Sequence, residues 1–265
     1  MKYRLGLSAA LIVLLTALIS CSALASAEDS PTKTIQLNLN QPQVEEEPDN
    51  FSEKYQQVMQ EITISEEAAA VVDQIKAAVE DLKDLAVDIN ITEIRERRNE
   101  EVVLHLMVSI EHKLARIEFN EPSAVRGMIL VANQAEMQVH IFQPVTNVIV
   151  VRGLEDASKE ALVALSIGQD LTQLTSYFDF SQYNVDILEK VELEGGVTDY
   201  LLQVDAPEEE IWYVRVRDDS WFPHEISVYE GEVLQGTMRL SNVELDPGLS
   251  VEEITCLPDA KIEKM

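Results

Sequence analysis

The sequence predicts a mainly β chain with some α, an α+β domain built on antiparallel strands. Three observations carry this. Val102, Leu104, Leu106, Val108 and Ile110 alternate with wetter residues, which gives a strand one buried face. Similar short alternating runs recur as far as Leu245, punctuated by Gly and Pro. Helical three- and four-residue steps occur in only two places, near 68–82 and within 154–178.

Lys2 and Arg4 lead an apolar run over 5–19. This start and the small residues behind it describe a secretory signal over 1–27. A membrane span takes about 20 apolar residues, more than the run offers. Two exits are open. Leu18-Ile19-Ser20-Cys21 resembles a lipobox, in which Cys21 is lipidated and becomes the new N-terminus. Ala25-Ser26-Ala27 resembles an ordinary cleavage site that releases a soluble protein starting at Glu28. Residues 28–60 hold Pro31, Pro42, Pro48 and the run Glu45-Glu46-Glu47, with little to bury, so they are expected to form an acidic disordered tether. A tether suits a lipid anchor and favours the Cys21 exit. The folded domain is then expected over 61–265.

That domain opens with a helix capped by Thr63 or Ser65, with Glu66 and Glu67 in its first turn. Ala68, Val71, Val72, Ile75, Val79 and Leu82 form its apolar stripe. Val87, Ile89 and Ile91 switch to a step of two, and the 102–110 strand follows. Ala115, Ile117 and Phe119 make the next strand, with Pro122 and Gly127 marking a turn. Residues 129–131 pair with Met137, Val139 and Ile141, and 148–151 is a short apolar run. Two short helices broken near Gly168 are expected over 154–178, from Leu162, Leu165, Leu171, Leu174 and Phe178. Strands resume at 185–193, 200–204, 211–216 and 226–229, with a Gly195-Gly196 hairpin turn. Gly231 and Gly236 bracket a turn-rich connection into a strand over 238–245. The sum is roughly ten antiparallel strands, one leading helix and one helical insert.

Net charge is −28, and the signal takes two cations with it. Such an excess argues against a phosphate backbone and against flat adsorption on anionic lipid heads. Hydrophobic content of 46% allows a real core. The cysteines are Cys21 and Cys256, so no intramolecular disulfide survives loss or lipidation of Cys21. Cys256 lies in Ile-Thr-Cys-Leu-Pro and reads as a buried small hydrophobe. His105, His112, His140 and His224 have no metal-ligand spacing, and no nucleophile elbow or phosphate loop occurs. With 48 acidic residues, no catalytic pair stands out. No catalytic residue, metal or cofactor is expected, and an enzyme is not.

Aromatic residues gather at Trp212, Tyr213, Trp221 and Phe222 and at Tyr177, Phe178, Phe180 and Tyr183. They fit either ordinary core filling or the wall of an apolar pocket.

The order of these parts resembles the LolA-type outer-membrane lipoprotein carrier superfamily over about 62–265. The segments that carry the likeness are Asn120-Glu121-Pro122-Ser123-Ala124-Val125-Arg126, Val139-His140-Ile141-Phe142-Gln143-Pro144, Trp221-Phe222-Pro223-His224-Glu225-Ile226-Ser227-Val228-Tyr229 and Leu240-Ser241-Asn242-Val243-Glu244-Leu245. The resemblance implies an unclosed, curved antiparallel sheet, a half-barrel, with helices packed in its concave face and an apolar cavity between. It implies acyl-chain contact by Val72, Ile75, Val79, Leu104, Leu106, Val108, Val139, Ile141, Leu162, Leu165, Leu171, Leu174, Phe178, Trp212 and Trp221. An acyl lipid or a lipoprotein would be the ligand, outside the cytoplasm in the periplasm or cell envelope. The membrane would be reached through a lipid on Cys21. Members of the superfamily serve as carriers, as anchored receptors, and as RseB-like regulators that bind an envelope protein, so both kinds of partner stay open. The chain departs from the pattern at Glu121, where carriers place an arginine before the proline, and Arg126 does not replace it in position.

Overall fold

The computed structural model describes residues 64–95, 99–154, 178–206 and 209–264. The signal, both of its exits, the tether and the helical insert lie outside the described residues.

Helix α1 (Glu66–Glu80) begins where Ser65 Oγ accepts the Ala68 N–H at 3.2 Å, so Ser65 is the cap. Its buried stripe is Ala68, Val71, Val72, Ile75 and Val79. The chain then forms β1 (Asp84–Glu93), β2 (Glu100–Ser109), β3 (Leu114–Glu121), β4 (Ile129–Asn133), β5 (Gln138–Gln143) and β6 (Val148–Gly153). A 3-10 turn (Phe180–Gln182) precedes β7 (Asn184–Glu192), β8 (Thr198–Asp205), β9 (Glu210–Arg217), β10 (Pro223–Glu230) and β11 (Val233–Leu245). Helix α2 (Val251–Thr255) and β12 (Lys261–Lys264) follow.

These strands make one twelve-stranded, curved sheet in the order β12-β6-β5-β4-β3-β2-β1-β11-β10-β9-β8-β7. It is two meanders, β1–β6 and β7–β11, joined where β1 pairs antiparallel with β11. Among the described residues it does not close, and β7 and β12 are its edges. The β7 edge carries a register shift between Ile187 and Glu189 and the charges Asp186, Glu189, Lys190 and Glu192. Bulges and charges of this kind deter pairing with a foreign strand.

Three expectations need correction. The sheet is mixed, because β12 lies parallel on β6. The tail crosses the outer face, Leu257 and Ala260 pack on Ile129, Val131, Phe142, Ile149 and Val151, and the chain reaches β6 running in the same direction. Cys256 is exposed. Ile254 takes the buried position against Leu114 and Leu249, and Arg116 Nη1 donates to the carbonyls of Ile254 (3.3 Å) and Cys256 (2.5 Å), holding the end of α2 by its backbone. Gly236 is not a turn. It sits buried inside β11, opposite Val228 and Glu93, at a place where the register slips by one residue.

Candidate ligand-binding face

Because side chains alternate along a strand, register alone sorts the sheet into two faces. One row of directly opposed residues on the inner face runs Val87, Leu106, Ile117, Leu130, Ile141, Val150 across β1–β6. Another runs Ile187, Leu202, Val214, Ile226, Met238, Ile91, Val102 from β7 across the seam to β2. Neither row contains a polar side chain. On the outer face the central rows are charged, as in Glu225, Arg239 and Asn90 or Asp88, His105 and Glu118.

The inner face divides into two packed clusters. Of the residues expected to line a cavity, Val79, Leu104, Leu106, Val108 and Val139 are buried in the first, with Ile141 against it. Val72, Ile75 and Trp212 are buried in the second, with Trp221 against it. Phe178 packs on both and stacks at a tilt on Phe222, ring centres 4.9 Å apart. Leu162, Leu165, Leu171 and Leu174 lie outside the described residues.

Sequence reasoning did not single out Phe119, Leu154 and Tyr200 as members of these clusters. The alternation of Tyr200, Leu202 and Val204 was the available signal for the third. Tyr200 stacks on Trp221, with ring centres 5.8 Å apart. Tyr183 meets Trp212 edge-on at 5.7 Å.

Among the described residues, the polar groups of the inner strand faces lie at the strand ends. Trp212 Nε1 donates to the buried carboxylate of Glu210 at 3.0 Å, which satisfies the indole N–H inside the apolar face. Helix α1 is tied to the β7 side by two ion pairs. Lys190 Nζ meets Glu67 Oε1 at 3.2 Å and lies 5.3 Å above the Tyr200 ring. Lys76 Nζ meets Asp179 Oδ2 at 3.0 Å. Both lysines are held above their ordinary range, chiefly by the hydrogen bonds to these carboxylates. Burial pushes the Asp179 carboxyl up, but bonds from Ser181 and Lys76 outweigh it and leave the group below the usual carboxylate range.

The four histidines form no ligand set. His105 Nδ1 lies 2.7 Å from Asp88 Oδ1, and His224 Nε2 lies 2.7 Å from Asp199 Oδ1, both on the outer face. Among the described residues no cluster of His, Cys, Asp and Glu is arranged to hold a metal ion. No described helix is long and apolar enough to cross a membrane. The arrangement is an extended, dry, curved face that can bury hydrocarbon.

No family model matches the chain, and no curated protein matches it. Several solved structures do. A LolA superfamily protein from Nitrosomonas europaea is 11% identical with a TM-score of 0.35, covering 71% of this chain and 97% of its own. The Mycobacterium tuberculosis lipoprotein LppX is 15% identical with a TM-score of 0.45, covering 71% and 100%. A chain of the Pseudomonas aeruginosa MucA/MucB complex is 11% identical with a TM-score of 0.42, covering 72% and 61%. Solved LolA-superfamily chains are thus among those similar to this one. Identities this low say nothing about ligand or partner.

Proposed function

We propose that this chain is a non-enzymatic, extracytoplasmic binding protein that holds the acyl chains of a lipid or lipoprotein against the inner face of its sheet. The observation that carries the reading is the pair of unbroken apolar rows across β1–β6 and β7–β2. Each methylene moved from water onto such a face contributes about 0.8 kcal/mol, so an acyl chain is retained without any catalytic group. In this reading helix α1, together with the helical stretch expected from the sequence over 161–178, would supply the other wall. The aliphatic part, with Leu104, Leu106, Val108, Val139 and Ile141, takes the hydrocarbon. The signal exits at Cys21, whose lipid anchors the domain in the periplasm or cell envelope behind the 28–60 tether.

The test is mass spectrometry of the full chain extracted from membranes. The expected result is a start at lipidated Cys21 and co-extracted acyl lipid. Leu106→Trp, which fills the face, should release that lipid while the fold survives. Retention of the same lipid by Leu106→Trp, or no lipid from any source, sinks the reading.

A second reading has its own support. Ala68, Val72 and Ile75 of α1 are already packed on Leu202, Val204 and Val214, none of them more than 1% exposed, so one half of the inner face is filled by the protein itself. A self-filled interior suits an RseB-like envelope regulator that binds a protein. A stable protein partner and no bound lipid would favour it.

A further inference from the structure

The outer face of β8–β11 carries an apolar patch unrelated to the inner rows. Ile211, Tyr213, Tyr229 and Leu234 are half-buried there. Register places them side by side: Ile211 opposes Tyr229, and Tyr229 opposes Leu234. Tyr213 and Tyr229 meet edge to face, with ring centres 5.2 Å apart. The described helices pack elsewhere, α1 on β7 and the 3-10 turn, α2 on β3.

The charge around this patch has one sign. Asp205 is the opposed partner of Ile211 and is exposed, and Glu209 and Glu232 stand exposed in the two adjoining hairpin turns. The rows Gln203-Tyr213-Ser227-Thr237 and Asp205-Ile211-Tyr229-Leu234 contain no basic residue. In the next row, Arg215 is engaged by Asp199 and Glu189, and Arg239 by Glu225.

We infer that this patch docks a cationic, amphipathic segment of a partner protein, its apolar side chains on Ile211, Tyr229 and Leu234 and its lysines or arginines against Asp205, Glu209 and Glu232. Tyrosine faces and acidic rims suit such a partner through stacking and charge steering. This site is separate from the inner face and does not depend on acyl-chain binding.

The test titrates the full chain with an acetylated peptide of alternating lysine and valine, beside its glutamate–valine counterpart. Only the lysine peptide should bind, and rising salt should weaken it. Glu232→Lys and Tyr229→Ser should each weaken binding about tenfold, and Glu194→Lys, an exposed charge reversal in the β7–β8 turn, should not. Equal loss in Glu194→Lys, or no loss in Glu232→Lys, overturns the inference by reducing the contact to net charge. Docking of phosphatidylcholine vesicles abolished by Tyr229→Ser, or a dimer in light scattering abolished by it, overturns it in favour of a membrane or a second copy.

Discussion

In the β1–β6 half, the inner face is almost wholly aliphatic, with Phe119 the one aromatic ring on its strands. In the β7–β11 half the same face carries Tyr200 and Trp212, with Phe180, Tyr183 and Trp221 packed against them. The difference is one of adaptability. Aliphatic side chains present only methyl and methylene surface and have no polar tip to satisfy. Rings meet at set angles, and the Trp212 indole must find an acceptor, which it does in Glu210. Helix α1 lies over the aromatic half for most of its length, and only Val79 reaches the aliphatic cluster. The aromatic half is the fixed platform, and the aliphatic half is the more adaptable one.

Core truncation tests this contrast most severely. Phe119→Ala and Phe180→Ala, each at a residue 1% exposed, should lose about 3–5 kcal/mol in urea unfolding. A much smaller loss at Phe180 would mean that the aromatic half is the loosely packed one, reversing the comparison.

Trp212→Phe isolates the polar tip. The ring volume is largely kept, but the Glu210 carboxylate loses its buried donor, and about 1–3 kcal/mol should go with it. Adding Glu210→Gln should recover part of that loss. If the single variant is as stable as the parent, the indole–carboxylate bond contributes nothing to the platform.

The seam between the halves responds to acid. Burial pushes the Asp88 carboxyl up, yet bonds from Asn242 (2.7 Å) and His105 (2.7 Å) outweigh it and hold the group below its ordinary value. A carboxyl depressed on folding adds stability above its unfolded pKa, and that stability is lost as pH falls through the folded value. The parent should therefore lose stability below about pH 4, and Asn242→Ala should flatten that loss by weakening the seam at neutral pH. An unchanged acid profile in Asn242→Ala would remove Asp88 from the account.

The smallest effect belongs to the helix clamps. Lys76→Met and Lys190→Met remove solvent-exposed pairs, and exposed pairs are screened and weak. Neither should move the thermal midpoint by more than a degree or two. A large shift would show that ion pairs rather than Val72 and Ile75 hold α1 on the aromatic half.

The strands were legible because one face is dry and the other wet, so 87–91, 102–110, 115–119 and 200–204 repeat at a step of two. The unclosed, curved sheet followed from the order of those strands and the resemblance it carries. Cys256 was misjudged because an apolar neighbourhood in sequence does not say which backbone carbonyl turns inward. Gly236 was misjudged because glycine marks a bulge as readily as a turn.

By itself, the sequence determined which residues share a face, because side-chain direction in a strand is a local property. It determined the capped amphipathic helix and the acidity of the whole chain for the same reason. Tertiary structure alone decided that β1 pairs with β11, that β12 joins in parallel, and that Asp88 meets His105 and Asn242 at the seam. Those contacts join residues far apart in the chain, and their geometry is fixed only once the two meanders curve together around a common core.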